Sequence, residues 1–296
     1  MKRTLAPFIR LIRPHQWLKN VFIFLPLFFS GQSGNLTGWL MSSAAFVSFS
    51  LASGSIYCFN DIIDVEEDRL HRLKKKRPIA GGQVTVREGY FLMFLLLALS
   101  VGTVILFQRE STVHALSVLA AYWLMNIAYC LKLKQLAIID VFVIATGFVL
   151  RVVIGGVVTG IVLSHWIIIM SFLLSLFLAF AKRRDDVMTY RETGVQPRRH
   201  IHRYNADFMN QVLTVTATVT MVGYIMYTVS EEVTTRFGSQ YVYLTSLFVL
   251  AGIIRYLQLT LVETKSGSPT DILLHDRFIQ ACVLCWILAF CLIIYA

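Results

Sequence analysis

Charge is what this 296-residue chain has least of: only 15% of its residues are Asp, Glu, Lys or Arg, against about 25% in soluble domains. A water-soluble globule of this length would expose far more, so that class is excluded. Cysteine is sparse as well. Its five copies (58, 130, 282, 285 and 291) lie in apolar surroundings, and the one CxxC, Cys282 and Cys285, sits inside a continuous apolar run. No second pair or histidine cluster completes a four-ligand zinc site. No Walker loop, GxGxxG or HExxH is present, and His200 and His202 have no ligand-like partner spacing. The N-terminus begins basic and meets Arg13-Pro14 before any long apolar run, and no A-x-A site follows, so no cleavable leader is expected. Disorder is excluded by 21 Phe, 12 Tyr and 5 Trp.

What fills the chain is apolar: 56% of its residues. Runs long enough to cross a bilayer, or nearly so, lie near 17–31 (short), 37–60, 89–108, 112–131, 137–160, 165–182, 208–229, 239–262 and 277–295. They are continuous rather than alternating, which excludes a β-barrel. The expectation is an all-α, polytopic membrane bundle of about nine helices forming a single domain, 1–296, with a cytoplasmic N-terminus. In that arrangement 24 of the 27 Lys and Arg fall on the inner side, Arg109 and Arg236 fall outside, and Arg151 lies within a span. The net charge of +10 is therefore mainly topological, and no nucleic-acid partner is expected. The acids say more. They contribute little to orientation, yet 14 of 17 share the inner face; Glu110, Glu231 and Glu232 do not. Both signs in quantity at one membrane face suggest metal-assisted anion chemistry.

Four constellations carry it. Asn60-Asp61-Ile62-Ile63-Asp64-Val65-Glu66-Glu67-Asp68 closes the second run. The i, i+3, i+7 spacing puts Asp61, Asp64 and Asp68 on one helical face. Aligned carboxylates repel unless a cation joins them, and hard oxygen donors at such a mouth suit Mg²⁺ bridging to phosphates; a solvated acidic helix end is the plainer alternative. Directly downstream, His71 to Gly82 contains Lys74, Lys75 and Arg77. Alone this is a lipid head-group patch; beside the acids it describes a polyphosphate clamp. Pro78 and Gly81-Gly82 break helix there and would leave backbone N–H groups for phosphate oxygens. The third set is Tyr129 to Lys134 with Asp140 and, deeper in the same span, Arg151. A buried arginine needs an acid or an anionic ligand, and 140, 144, 147, 151 and 155 share a helical face, so Arg151 points inward. The fourth is Lys182-Arg183-Arg184-Asp185-Asp186, running on to Arg198, Arg199 and Arg203. Asp186 is a candidate metal ligand or orienting carboxylate, and the arginines suit a lipid phosphate or simply a positive-inside loop. Upstream, Trp17 and Lys19 read as interface anchors, with Lys19 able to reach an inner-face site. Gly156 and Gly160 form a small-xxx-small pattern expected to pack helices.

Asn60-Asp61-x-x-Asp64-x-x-x-Asp68 resembles the first aspartate-rich motif of the UbiA prenyltransferase superfamily. The chain is similar in particular to its polyprenyl-phosphate (decaprenyl-phosphate type) phosphoribosyltransferase branch. The matching residues are Arg13-Pro14-x-Gln16-Trp17-x-Lys19-Asn20, His71-x-x-Lys74-Lys75-x-Arg77-Pro78-Ile79-Ala80, Tyr129-Cys130 with Lys134, Arg151-x-x-x-Gly155-Gly156, Lys182-Arg183 with Asp186, and Asp271-Ile272 to Asp276-Arg277. They cover nearly the whole chain in order. Arg72 stands where the branch usually has proline after His71, and the paired second DxxxD of the wider superfamily is not recognisable, which favours the phosphoribosyl branch. The resemblance implies an all-helical fold with a central cavity open to the cytoplasm and to lipid, Mg²⁺ as cofactor, and a multi-pass protein of the plasma (inner) membrane. It leaves a homo-oligomer open, and it suggests arabinofuranosyl-donor synthesis for the cell wall.

The implied reaction moves 5-phosphoribosyl from phosphoribosyl diphosphate (PRPP) to a membrane polyprenyl phosphate (decaprenyl or undecaprenyl), releasing diphosphate. The residue types fit that chemistry. Diphosphate leaves more readily with Mg²⁺ and cationic donors to take its charge. The phosphate nucleophile is already ionised, so no strong base is required and positioning supplies most of the rate. Asp61 and Asp64 are expected to hold Mg²⁺ with Asn60 assisting, and Asp68 metal or ribose hydroxyls. Lys74, Lys75 and Arg77 would neutralise PRPP phosphates. Lys19, Lys134, Arg151, Lys182 and Arg203 form the pool for the lipid phosphate or the 5-phosphate, with His71, Tyr129 and Asp186 completing the substrate-binding set. An aromatic prenyltransferase of the 4-hydroxybenzoate type and an anion transporter are the alternatives.

Overall fold

The computed structural model describes residues 5–32, 34–70, 74–108, 111–194, 201–263 and 269–295. Among them every regular element is helical. In order they are α1 (Ala6–Ile12), a 3₁₀ stretch (Pro14–Phe24), α2 (Leu25–Phe29), α3 (Leu36–Ile63), α4 (Val65–Leu70), α5 (Val86–Phe107), α6 (Thr112–Leu131), α7 (Ile139–Thr159), α8 (His165–Thr193), α9 (Ala206–Val229), α10 (Glu231–Phe237), α11 (Ser246–Leu261), α12 (Pro269–His275) and α13 (Arg277–Tyr295). Short 3₁₀ turns occupy Lys74–Lys76, Leu133–Gln135, Ile201–Arg203 and Gln240–Thr245. The all-α membrane class expected from the sequence is the class observed.

The number of spans differs from the nine expected. Seven helices among the described residues are long and apolar enough to cross a membrane, and α12 with α13, bent by 85°, makes an eighth if counted as one. The run at 17–31 is not one long α-helix, although it leads from Arg13, beside Asp61 at one end of α3, to Asn35 at the other. Pro14 opens an 11-residue 3₁₀ stretch there, and Pro26 sits in the first turn of the five-residue α2. Proline lacks the N–H an α-ladder needs. At about 2.0 Å per residue the 3₁₀ stretch reaches about 22 Å and the contiguous α2 adds about 7.5 Å, so the segment runs nearly the depth of a hydrocarbon core of about 30 Å without being one α-helix.

The chain divides into two compact units. The first comprises Met1–Lys134 and Gly147–Leu163. Its central element is α3, rich in Ser, Ala and Gly, with Asn35 capping its start by accepting the Gly38 N–H. Small residues let membrane helices approach closely. The hydroxyls of Ser48 on α3 and Ser100 on α5 lie 3.0 Å apart, and each is placed to donate its proton to the other residue's carbonyl, at 2.9 and 2.8 Å. Phe49, Ile56, Leu119, Tyr122, Ile154 and Ile23 form one apolar core, and Leu11, Cys58, Ile62, Ile79, Val84 and Met93 another. The 3₁₀ stretch packs on α7 at Gly155, where a Cβ would lie 2.1 Å from the Ile23 carbonyl oxygen. Gly156 packs against Leu163, and Gly160, with φ +68, ends α7. The small-xxx-small pattern thus serves to close this helix end rather than to pack a neighbouring helix.

The second unit comprises Gln135–Thr146 and Ser164–Ala296. Ser164 caps α8, which runs to Thr193, past the apolar run that stops at 182, and ends at Gly194 in the left-handed region. Lys182 to Asp186 therefore sit on helical turns and not in a loop. Phe177, Ile201, Met209, Leu213, Tyr256 and Leu259 belong to the unit's core. One buried polar chain here is internally satisfied, as lipid favours: Trp286 Nε1 donates to the Tyr224 hydroxyl at 2.6 Å, and that hydroxyl lies 2.8 Å from Thr245.

Gly155→Ala is expected to force the 3₁₀ stretch from α7 and to cost about 1–3 kcal/mol, the usual penalty of overpacking. Gly102→Ala, which meets nothing within 4 Å, is expected to leave stability unchanged or slightly raised. Thermal unfolding of the two variants in micelles checks this.

Candidate active site

Asp61 occupies the last turn of α3, Asp64 the C-cap after it, and Asp68 the following α4. The backbone ladder runs on through the cap, with Asp64 N–H donating to Asn60 and Asp68 N–H to Asp64. The acids divide between different cations. Arg77 Nη1 lies 2.6 Å from Asp68 Oδ2 and 3.2 Å from Asp61 Oδ1, joining those two. Asp64 pairs instead with Lys134, at 2.5 Å. A further cation completes the set: Arg13 Nη2 lies 2.6 Å from Asp61 Oδ1. Both Asp61 and Asp68 are almost wholly buried, 1% and 2% exposed, so the guanidinium partners offset a large loss of hydration.

The turn that carries Arg77 departs from expectation. The N–H groups of Gly81, Gly82, Gln83 and Val84 are all taken, by the carbonyls of Arg77, Ile79 and Pro78. The glycine pair's N–H groups are thus not left for phosphate, because the chain closes on itself there as tight turns. Ile79 and Val84 anchor the turn in the core, at 2% and 1% exposure. The turn thus presents the Arg77 side chain and not its backbone. Lys74 and Lys75 precede it, half-buried and exposed respectively. His71 and its neighbour Arg72 lie outside the described residues, as do Arg198 and Arg199.

Arg151 makes no ion pair among the described residues. It is 6% exposed and is held by neutral groups: Nε donates to Asn20 at 2.7 Å, Nη1 to the Gly147 carbonyl at 2.7 Å, and Nη2 to the Tyr122 hydroxyl at 2.9 Å. The rings of Tyr122, Phe148 and Phe49 lie 5.0, 5.1 and 5.7 Å from the guanidinium carbon. Cation–π attraction is strongest where water is excluded, which is how a buried cation is tolerated without an acid. Asn20 donates in turn to Ser50 at 2.9 Å, so Arg151 ties the 3₁₀ stretch to α3, α6 and α7. Lys19, on the same stretch, is half-buried, and Tyr129 is half-buried against the α3–α6 core.

The remaining expected residues belong to the second unit. Asp140 at the start of α7 pairs with Arg183 of α8 at 2.5 Å, both essentially unexposed, and Arg183 reaches Asp186 at 3.0 Å. Asp186 is thus part of an ion-pair network. Arg184 donates to Asn210 and to the Thr260 carbonyl. Lys182 is half-buried and Arg203 exposed. Tyr204 accepts the Ile138 N–H at 2.6 Å, and burial raises its phenol pKa above the ordinary value against that bond.

Among the described residues no group of three or more His, Cys, Asp or Glu is arranged to hold a metal alone. Mg²⁺ does not require one, since it takes one or two carboxylates and completes its octahedron with water and substrate phosphate. Asp61 fits that use. Its Oδ1 is bound by two arginines, while Oδ2 is buried with no hydrogen-bond partner among the described residues. An ionised oxygen left so is costly unless a cation meets it.

Two residues of this unit went unassigned in the sequence. Asn20 reads there only as part of a motif, and its contact with Arg151 spans 131 positions. Arg13 reads there as a topology signal and as part of the same motif, without a role of its own. Its one local mark is proline at 14, since Arg13 adopts the left-handed region, φ 56 and ψ 62. That region is unfavourable for any residue with a Cβ, at about 1–3 kcal/mol.

Breaking the Asp140–Arg183 pair from one side should cost about 3–5 kcal/mol by stranding a buried charge. Asp140→Leu and Arg183→Met are each expected to destabilise by that order, and the double variant by less than the sum. Denaturation in mixed micelles measures the cycle, and additive costs would contradict the pairing.

The sequence over residues 20–278 matches the model of the UbiA prenyltransferase family. The chain is 31% identical to the decaprenyl-phosphate phosphoribosyltransferase of Corynebacterium glutamicum, covering 97% of this chain and 86% of that one. It is 32% identical to the enzyme of the same name from Mycolicibacterium smegmatis, over 97% and 92%. In fold it is similar to a UbiA homolog from Archaeoglobus fulgidus solved with GPP and Mg²⁺, with a TM-score of 0.70 at 18% identity, over 98% of this chain and 100% of the other. Sequence, fold and the acid-rich end of α3 agree: the chain belongs to the UbiA prenyltransferase family.

Proposed function

We propose that this protein is a Mg²⁺-dependent pentosyltransferase that moves 5-phosphoribosyl from PRPP to a polyprenyl phosphate in the membrane. The observation that carries the reading is the identity of 31–32% with two decaprenyl-phosphate phosphoribosyltransferases over 97% of the chain. The family match spans both units, which supports treating 1–296 as one integral-membrane domain. The concentration of Lys and Arg on one side supports an active site facing the cytoplasm across a plasma membrane.

The residues of the first unit suit the chemistry. Mg²⁺ held by Asp61 and Asp64, with Asn60 assisting, would supply Lewis-acid neutralisation of the departing diphosphate. Arg77, fixed by Asp61, Asp68 and its closed turn, presents a planar fork suited to phosphate oxygens, and Lys74 and Lys75 add charge beside it. Lys134, on Asp64, carries its charge to the same acids. Asp68 stands ready for metal or ribose hydroxyls. The lipid phosphate, already ionised, attacks the anomeric carbon as the bond to diphosphate breaks, so these side chains need only bind, orient and neutralise. Lys19 would serve a remaining phosphate, with His71 and Tyr129 in supporting contacts. The buried, neutral setting of Arg151 favours a framework part for that residue.

Membranes containing the protein, given PRPP labelled in the ribose and a polyprenyl phosphate, are expected to move label into the lipid phase only with Mg²⁺. Asp61→Asn is expected to lower that transfer by about 10²-fold or more, as losses of transition-state charge stabilisation do. Label that stays in water while a phenolic acid becomes prenylated would mean an aromatic prenyltransferase. Asp61→Asn turning over normally with Mg²⁺ would remove the metal assignment.

A further inference from the structure

Resting on that reading, we propose that Arg13 is the positioning residue for the metal-binding carboxylate: it holds Asp61 by Oδ1 so that Oδ2 is kept for the divalent cation. Three features of the structure point to this. Arg13 Nη2 lies 2.6 Å from Asp61 Oδ1, and Arg77 lies 3.2 Å from the same oxygen, while Oδ2 is buried without a hydrogen-bond partner among the described residues. A carboxylate gripped at one oxygen by two guanidinium groups cannot rotate without giving up both. Next, the guanidinium carbon sits 5.0 Å from the centre of the Tyr57 ring. Tyr57 and Asp61 are four residues apart on α3, hence on one face, so the arginine spans ring and carboxylate together and its own orientation is fixed. Finally, the backbone at Arg13 adopts the left-handed region directly before a proline. The structure holds it there from both sides: the Arg13 N–H donates to the Ile9 carbonyl at 3.3 Å, and its carbonyl accepts the Gln16 N–H at 2.9 Å. Leu11 is buried with Cys58 and Ile62, and Ile12 abuts Gly54, so α1 is seated on the turns of α3 that lead to Asp61. A strained conformation so firmly supported is the expected sign of a residue placed for function.

The role differs from simple neutralisation, which Arg77 already provides. Orienting partners of metal ligands are commonly worth 10–100-fold in metal affinity. Mn²⁺ is the probe, read by electron paramagnetic resonance on the purified full chain in nanodiscs, alone and with PRPP. Arg13→Gln is expected to weaken Mn²⁺ binding about tenfold or more, and Arg13→Lys, which keeps charge but loses the fork, to fall between it and wild type. Arg10→Gln, an exposed neighbour on α1, is expected to leave Mn²⁺ affinity unchanged. The discriminating result is a cycle with Asp61→Asn: the double variant should bind no worse than Asp61→Asn alone, because an orienting residue has nothing to orient once its ligand is gone. Wild-type affinity in Arg13→Gln, or in Arg13→Lys should the glutamine variant not fold, overturns the proposal and leaves the functional reading standing. A loss that persists undiminished in the double variant also overturns it, as the mark of general damage. Wild-type protein that binds no Mn²⁺ with PRPP overturns both.

Discussion

Carboxylates gathered at the end of a membrane helix lose hydration and repel one another, and their arrangement depends on cations brought from elsewhere in the chain. Here Arg13 arrives from the N-terminal segment, Arg77 from the turn after α4, and Lys134 from the end of α6. Each joins one acid or two, and each comes from an element that the rest of the first unit must hold in register. Much of that unit's packing can be read as meeting this demand. The closed turn from Pro78 to Val84 spends its backbone donors on itself and its apolar side chains on the core, leaving Arg77 as its outward product. The serine pair of α3 and α5 keeps the acid-bearing helix close to its neighbour.

The N-terminal segment departs from α-helical geometry and is nonetheless well anchored. Between Arg13 and Phe24 it lacks α-helical bonding, yet it is fastened at two depths. Asn20 binds Arg151, itself surrounded by aromatic faces, and the Ile23 carbonyl rests against Gly155, where no larger residue fits without displacement. A segment so anchored can carry Arg13 in an unfavourable conformation, because the opposing contacts are worth more than the strain. Arg151 is thus explained without an acid: its cost is met by hydrogen bonds and cation–π attraction.

What the sequence disclosed follows from how local each feature is. Apolar runs declare themselves by composition, and Leu36–Ile63, Val86–Phe107 and Thr112–Leu131 lie within a few residues of the runs that announce them. The acidic motif is likewise local, and its resemblance to a known family is carried by spacing alone. At 17–31 composition shows the short apolar run but does not register that Pro14 and Pro26 make it a 3₁₀ stretch followed by a short helix and not one α-helix. The free-amide reading of Gly81-Gly82 failed because glycine permits a tight turn without saying where its N–H groups go. Long-range pairs were beyond reach. Arg13 finds Asp61 across 48 positions, Asp140 finds Arg183 across 43 and Arg151 finds Asn20 across 131, and nothing in one sequence marks such partners.

In the proposed account the fold supplies placement and charge while the substrates supply nucleophile and leaving group, which is why the site needs no strong base. Its central claim is that phosphoribosyl, and not a prenyl group, is what moves. The most direct measurement is the stoichiometry of one reaction: purified protein in liposomes with PRPP, polyprenyl phosphate and Mg²⁺, followed by mass spectrometry of the lipid and assay of released diphosphate. One diphosphate per lipid that has gained a phosphoribosyl unit is the predicted result. Diphosphate released only when a prenyl diphosphate is supplied, with the polyprenyl phosphate unchanged, would contradict the account.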